Sequence, residues 1–350
     1  MRVKLDGMRS LGLDMLKAAG APEEEAETMM EVLVDTSLRG VDSHGVRAIP
    51  RYVKEMQKGI FRSGDEIKVI RDAPVTAMWD ASHVNGFVAG KKAMEAAIEK
   101  AEQYKMGAVG CMGPAHNGAL YWYTTLAVER DMIGIVLQRG AGHVVAPFGG
   151  VEGRLGTNPF AVGIPAGDER PILLDMATNA VATGHFLTMK LRGEKIPEGW
   201  VIDRQGRWID EYDPAAAERG DIAPVSFGGV TGEYKGYGIK VVLEVLAGAI
   251  GSGCSLDAGM RYDLIYMAID PTGFCPIEDF KAKVDSMIRH IKSSAKRPGF
   301  REIYLPGELE SIEREKRIRE GIFLDEEFWL DILKTAEELN IDVEEYDILL

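Results

Sequence analysis

The sequence predicts a mixed α/β fold, with a β-sheet core flanked by helices drawn from both ends of the chain. Three observations carry this. Helical spacing of apolar residues governs the first 60 residues and returns in the tail. Between them, compact apolar runs of strand length alternate with helix-length segments. Glycine-dense and polar stretches then break the middle of the chain into loops.

Each element follows from local pattern. Leu11, Met15 and Leu16 recur at helical spacing, and Ala21-Pro22-Glu23-Glu24-Glu25 supplies a second helix start with proline and acids in its first turn. That helix carries Met29, Met30, Leu33 and Val34 on one side and ends near Arg39-Gly40, leaving His44 in a loop before a helix at Ile49–Lys58. Ile67–Ile70 and Val75–Trp79 read as strands, and Val88–Lys105 as an alanine-rich amphipathic helix. Ala108–Met112 and Ile133–Leu137 are further strands, separated by a helix over roughly residues 119–130. Ile172–Leu174 runs as a strand into Asp175. Polar loops fill residues 192–235, and Ile239–Ala249 reads as a buried helix. Tyr262–Ile269 is a strand, followed by helices at Glu278–Ser293, Glu308–Arg319 (stopped by Gly321) and Glu326–Leu339 (stopped by Asn340).

Composition narrows the class. The chain has 350 residues, 46% hydrophobic and 27% charged, which suits a soluble globular protein of two domains or one with an appended lobe. A net charge of −14 argues against a nucleic-acid partner, which requires a basic face. Cys111, Cys254 and Cys275 are far apart and form no CxxC, so the expectation is a reducing compartment without structural zinc. The N-terminal segment lacks a signal-peptide pattern, and the apolar stretch from Gly236 to Ile250 is short and interrupted. The expectation is a cytoplasmic protein with no membrane partner.

Two of the six histidines stand in segments suited to chemistry. Asp42-Ser43-His44-Gly45 is followed closely by Arg47 and Arg51, and His116 lies within Gly113-Pro114-Ala115-His116-Asn117-Gly118. A titratable imidazole beside guanidinium groups is what a carbonyl compound bearing a carboxylate needs. A capping or surface imidazole is the plain alternative for each. His83, His143, His185 and His290 have no comparable neighbours, and no spacing supports a metal site. No G-x-S-x-G elbow is present.

No standard nucleotide loop is present either. Gly140-Ala141-Gly142 follows a predicted strand, but the third glycine is missing and Pro147-Phe148-Gly149-Gly150 forbids the helix that would hold a pyrophosphate. Gly156-Thr157-Asn158-Pro159 reads as a turn, and equally as a holder of a substrate carboxylate or a nicotinamide amide. Asp175-Met176-Ala177 ends a strand, where α/β proteins place ligand contacts. In Tyr234-Lys235-Gly236-Tyr237-Gly238 a lysine stands among glycines, as an anion contact or a solvated lysine.

Taken in order, these pieces resemble the malate/L-lactate dehydrogenase family of non-Rossmann NAD(P)-dependent 2-oxoacid reductases, which includes ureidoglycolate and sulfolactate dehydrogenases and diketogulonate reductase. The likeness runs from Arg39-Gly40-Val41-Asp42-Ser43-His44-Gly45 through His116-Asn117-Gly118-Ala119, Ala146-Pro147-Phe148-Gly149-Gly150, Gly156-Thr157-Asn158-Pro159 and Asp175-Met176-Ala177-Thr178. It continues through Ile196-Pro197-Glu198-Gly199-Trp200, the Tyr234–Gly238 segment, Pro298-Gly299-Phe300 and Leu305-Pro306-Gly307-Glu308.

The resemblance implies a non-Rossmann mixed-sheet cofactor domain over residues 71–300. It implies a helical substrate and dimer domain from residues 1–70, with the C-terminal helices of 301–350 packed on it. It further implies a homodimer, a small carboxylate substrate, and NAD or NADP as cofactor, NAD slightly preferred. His44 resembles the family's proton donor with Ser43 beside it, and His116 a second histidine assigned as acid/base in some members. Thr157 resembles a substrate contact, with Arg47 and Arg51 as carboxylate candidates. Gly140, Asp175, Met176, Ala177, Tyr234, Lys235, Gly307 and Glu308 resemble cofactor contacts.

Two departures bear on the substrate. The family usually has an arginine four residues after the first histidine, where this chain has Ala48, with Arg47 one residue earlier. One helical residue is a turn of about 100°, so Arg47 does not simply replace it. The imine-reductase members carry an aspartate where this chain has His185. The expected reaction is reversible hydride transfer at C2 of a small 2-hydroxy or 2-oxo acid. The alternatives are reduction of a cyclic imine 2-carboxylate, or a dinucleotide-binding protein without activity.

Overall fold

The computed structural model describes residues 1–349 apart from 182–184, 187–188, 190–192, 252 and 254–260. In chain order the first elements are β1 (Arg2–Val3), α1 (Leu5–Ala18), α2 (Glu23–Leu38), α3 (Ile49–Gln57), β2 (Lys68–Asp72), β3 (Thr76–Asp80), α4 (Gly86–Tyr104), β4 (Met106–Met112) and α5 (Tyr121–Val128). Then come β5 (Ile133–Arg139), β6 (Phe160–Ile164), β7 (Ile172–Met176), β8 (Val201–Asp203), α6 (Pro214–Glu218), β9 (Ile222–Pro224), α7 (Gly229–Leu243), β10 (Asp263–Ile269), α8 (Ile277–Lys292), α9 (Glu308–Glu320), β11 (Ile322–Phe323) and α10 (Glu326–Glu338).

The core is a seven-stranded mixed sheet in the order β2-β3-β4-β10-β5-β6-β7. Only β3 and β4 pair in parallel, joined by the crossover helix α4, and every other neighbour in the sheet is antiparallel. Strand β10 runs between β4 and β5, against both, so one inserted late strand closes the centre of the sheet. This is not a doubly wound parallel sheet, and it carries no strand–glycine turn–helix unit for a pyrophosphate.

Alanines let α4 lie close on the sheet. Ala89, Ala93, Ala97 and Ala101 are buried with Val109, Val136, Leu264 and Tyr266. A Cβ on Gly107 of β4 would lie 2.0 Å from the Ala97 carbonyl oxygen, so that approach requires glycine. A second core joins the two ends of the chain: Leu11, Met15, Met30, Leu33 and Tyr52 pack with Ile322, Trp329, Ile332 and Ile348. Strand β1 pairs with β11, and Tyr346 donates to Asp14 at 2.6 Å.

The boundaries from the sequence are off by a few residues at most elements, and three readings need correction. Residues 192–235 are not all loop, because β8, β9, α6 and the start of α7 lie within them. Tyr234 and Lys235 are therefore inside α7 and not in a loop ahead of a buried helix. Gly236, one of the glycines that suggested a loop, serves packing instead: a Cβ there would lie 2.3 Å from the Phe227 carbonyl oxygen. Nor is Ile239–Ala249 a buried helix. It spans the end of α7 and a π-helical turn, Glu244–Ala249, with Val242 and Val245 at least half exposed. Strand β6, Phe160–Ile164, went unread because Gly163 and the preceding Pro159 mask its alternation.

Candidate active site

His44 is placed by two consecutive 3-10 turns, Asp42–His44 and Val46–Ala48, that follow α2. Gly45 between them is required, since a Cβ there would lie 2.0 Å from Ser37 Oγ. That hydroxyl accepts the Val46 N–H at 2.9 Å. The turn is anchored from the other end of the chain. Arg317 of α9 grips both Asp42 carboxylate oxygens at 2.5 and 3.1 Å and donates to the Ser37 carbonyl at 2.7 Å. Arg317 is almost fully buried, so its charge is matched by a two-pronged partner.

His116 comes to the side of His44 from the loop after β4. A Cβ at Gly86 would lie 2.1 Å from the Ala115 carbonyl oxygen and 2.6 Å from that of His116, so glycine at the start of α4 sets the height of this loop. The two imidazoles stack with centroids 5.6 Å apart and planes 24° from parallel. His44 Nδ1 is engaged by Ser43 Oγ at 2.9 Å. His116 Nδ1 accepts the Gly118 N–H at 3.2 Å, and so the Tyr52 hydroxyl, 2.8 Å from it, donates as well. Two donors on Nδ1 place the proton of neutral His116 on Nε2.

Burial and the nearby Arg51 and Arg47 charges pull His44 down to about 4. Burial, His44 and Arg51 pull His116 well below the ordinary imidazole range. Both rings are therefore neutral at neutral pH. Each is partly open to solvent. Tyr262 packs edge-on against His116 with centroids 5.7 Å apart.

The arginines divide. Arg47 turns away and stacks on Phe328, its guanidinium 4.4 Å from the ring centroid. Arg51 bonds Glu55 at 2.7 Å and lies beside Tyr52 and Tyr262, on the histidine side. Arg139 is fully buried and paired with Asp263 at 2.8 Å, so it offers no open contact to a ligand.

The other candidates are spread over β7, the start of α9, α7 and the loop after β5. Asp175 is the penultimate residue of β7, and its carboxylate accepts the Tyr121 N–H at 2.8 Å, capping α5 directly downstream of the His116 loop. It is reachable by solvent yet ringed by protein, which raises it to about 6, so it is ionised at neutral pH. Gly307 packs on Leu173 of the same strand, and Glu308 begins α9, accepting the Leu305 N–H at 3.0 Å and pairing with Lys292. Met176 and Ala177 are half-buried beside Asp175. Tyr234 and Lys235 are exposed on α7, with Phe148 against Tyr234. Gly140 is buried beneath Thr157, within 2.7 Å of its Oγ1 if it carried a Cβ, so it shapes the loop from below and offers no open face.

The site also contains residues that sequence reasoning passed over. Tyr52 and Tyr262 carry no motif. Lys240 and Glu244 did leave a signal, two charges four residues apart in an otherwise apolar segment. Lys240 is completely buried, and its desolvated ammonium, partly supported by Glu244, falls to about 7.

Together, the fold and the paired histidines define a class, an α/β oxidoreductase without a Rossmann nucleotide loop. Comparison with known proteins gives the family. The malate/L-lactate dehydrogenase family model matches residues 3–333. The chain is 36% identical to the L-sulfolactate dehydrogenase of Methanocaldococcus jannaschii over 99% of each chain. It is 30% identical to the NAD(+) ureidoglycolate dehydrogenase of Escherichia coli K12 over 96% of each. The crystal structure of malate dehydrogenase from Entamoeba histolytica superposes with a TM-score of 0.92 at 27% identity, covering 98% of this chain and 99% of that one. The chain belongs to the malate/L-lactate dehydrogenase family.

Among the described residues no helix is long and apolar enough to cross a membrane.

Proposed function

We propose that the protein catalyses reversible hydride transfer at C2 of a small 2-hydroxy or 2-oxo acid, with His44 as acid/base. The observation that carries this is the stacked His44–His116 pair beside Arg51. In the oxidative direction neutral His44 takes the hydroxyl proton on Nε2, while Ser43 holds Nδ1. In reduction the same nitrogen returns the proton to the developing alkoxide. Arg51 is the first candidate for the substrate carboxylate, with Thr157 orienting the oxygen at C2 and Arg47 contributing charge from Phe328. An anionic substrate bound there favours imidazolium on His44, offsetting the burial that keeps it neutral in the free site.

The donor set suits a dinucleotide. Asp175 offers an open carboxylate for ribose hydroxyls, Tyr234 and Lys235 offer an exposed ring and ammonium, and Gly307 and Glu308 border the same strand. When bound, a nicotinamide cofactor supplies or accepts the hydride. We assign NAD slightly ahead of NADP, supported by the NAD(+) in the name of the ureidoglycolate relative.

We also propose that the protein is a cytoplasmic homodimer. The exposed apolar side chains Leu309, Ile312, Ile318 and Leu330 of the C-terminal helices are the support for dimerisation. Residues 1–70 and 301–350 would form the substrate and dimer domain around the core of 71–300.

The test is oxidation of NADH and NADPH, followed at the nicotinamide absorbance, against pyruvate, oxaloacetate, sulfopyruvate and a cyclic imino acid. Turnover of an open-chain 2-oxo acid supports the proposal. Turnover of only the imino acid replaces it with imine reduction, and cofactor binding without turnover of any of them replaces it with a binding protein.

A further inference from the structure

The loop Gly156–Asn158 is held by an arrangement of buried polar groups that packing alone does not call for. Lys240 has no solvent exposure, yet its Nζ donates to the carbonyl of Gly156 at 2.9 Å, the carbonyl of Thr157 at 3.3 Å and Asn179 Oδ1 at 2.7 Å. Three acceptors match the three N–H bonds of an ammonium. One helical turn further on, Glu244 accepts Asn158 Nδ2 at 2.9 Å, at the point where the helix widens to π geometry. Such π turns cluster at functional sites.

Asn158 is itself in an unusual state. It is buried with φ 38, in the left-handed region, and its side chain is fully engaged: Oδ1 accepts the Gly140 N–H at 2.9 Å, and Nδ2 also reaches the Lys240 carbonyl at 3.2 Å. Thr178 Oγ1 ties the Thr157 and Asn158 carbonyls at 3.0 and 2.9 Å. Thr157, between them, is the half-buried member of the loop. Burying an ammonium and a carboxylate under a loop is a poor way to gain stability, since apolar residues of similar size fill such space at lower cost. What the charges supply is direction, fixing backbone oxygens that apolar contacts leave free to shift.

We infer that Lys240, with Glu244, is a positioning residue that holds the Gly156–Asn158 loop so that Thr157 meets the substrate. This rests on the assignment of Thr157 to the substrate site made above. The test is Lys240→Met, which keeps the volume and removes the donors, read by steady-state kinetics on the 2-oxo acid that wild-type enzyme turns over. The expected result is a KM raised about tenfold or more with kcat within about threefold, the mark of lost binding in both ground and transition states. An unchanged KM, or kcat and KM both at wild-type values, overturns the inference. Should K240M fail to fold, Lys240→Gln retains two donors and must show the same KM rise in smaller degree; wild-type kinetics from K240Q overturn it. Amide hydrogen exchange separates this claim from the functional reading. If wild-type protein turns over no 2-oxo acid, the functional reading fails, while unchanged exchange at residues 156–158 in the Lys240 variant overturns the loop assignment independently.

Discussion

The imidazole of His44 lies over that of His116, 5.6 Å between centroids, although separate loops deliver the two rings. Each disfavours a proton on the other, so the pair holds at most one proton over the working range. His44 Nδ1 meets a single hydroxyl, that of Ser43, while His116 Nδ1 is tied to two donors, Tyr52 and Gly118. That asymmetry gives the first prediction. Replacing His44 by Ala lowers turnover by about two to four orders of magnitude, measured with saturating cofactor. Wild-type turnover from H44A would move the acid/base role to His116.

The second prediction concerns pH. Because His44 is held down to about 4, its base form is present throughout the neutral range. For oxidation of a 2-hydroxy acid, kcat/KM should climb through about 4 and stay level towards neutrality. An acid limb near the ordinary imidazole value of 6.5 would show that the free enzyme does not depress this group. The same shift has a stability consequence. Between 6.5 and about 4 the unfolded chain binds a proton that the native site refuses, so stability is full above 6.5 and declines as pH falls through this window. Urea titrations across the window check the sign.

Tyr52 sets the tautomer of His116 at the cost of one hydroxyl bond. Tyr52→Phe should lower the melting temperature only slightly, in line with a net hydrogen-bond value of about 1 kcal/mol. Turnover should fall about tenfold, as misplacement of a group beside the reacting atoms does. Equal activity in Y52F and wild type would show that Gly118 alone suffices.

Gly86 governs the His116 loop through space, since an added Cβ would meet backbone oxygens of Ala115 and His116 that have no flexible end to yield. Gly86→Ala is therefore expected to reduce kcat well beyond what its thermal melt suggests. A variant with normal kcat would mean the loop relaxes without moving the imidazole.

Arg317 is far along the chain from His44 yet holds its turn through Asp42 and Ser37. Arg317→Met should destabilise by about 1–3 kcal/mol, because a half-buried carboxylate loses its two-pronged partner. Calorimetry together with kinetics checks this, and a stable variant with full activity would remove the proposed anchor.

The sequence by itself determined the fold class, the order of most elements, the two histidine segments and the family likeness. These are written in local pattern: period of the apolar residues, helix stops such as Gly321, and runs such as Asp42-Ser43-His44-Gly45 that stay adjacent whatever the chain does elsewhere. Residues whose meaning lies in a distant partner were not legible. Arg47 and Arg51 both stood as carboxylate candidates, and only the fold shows Arg47 stacked on Phe328 and Arg51 beside Tyr52 and Tyr262. Gly236 of α7 suggested a loop because its close approach to Phe227 cannot be seen from its flanks. Tertiary structure alone decided which charges are buried, which nitrogen of each imidazole is free and what holds the Thr157 loop, because burial and hydrogen bonding depend on atoms that only folding brings within a few ångströms.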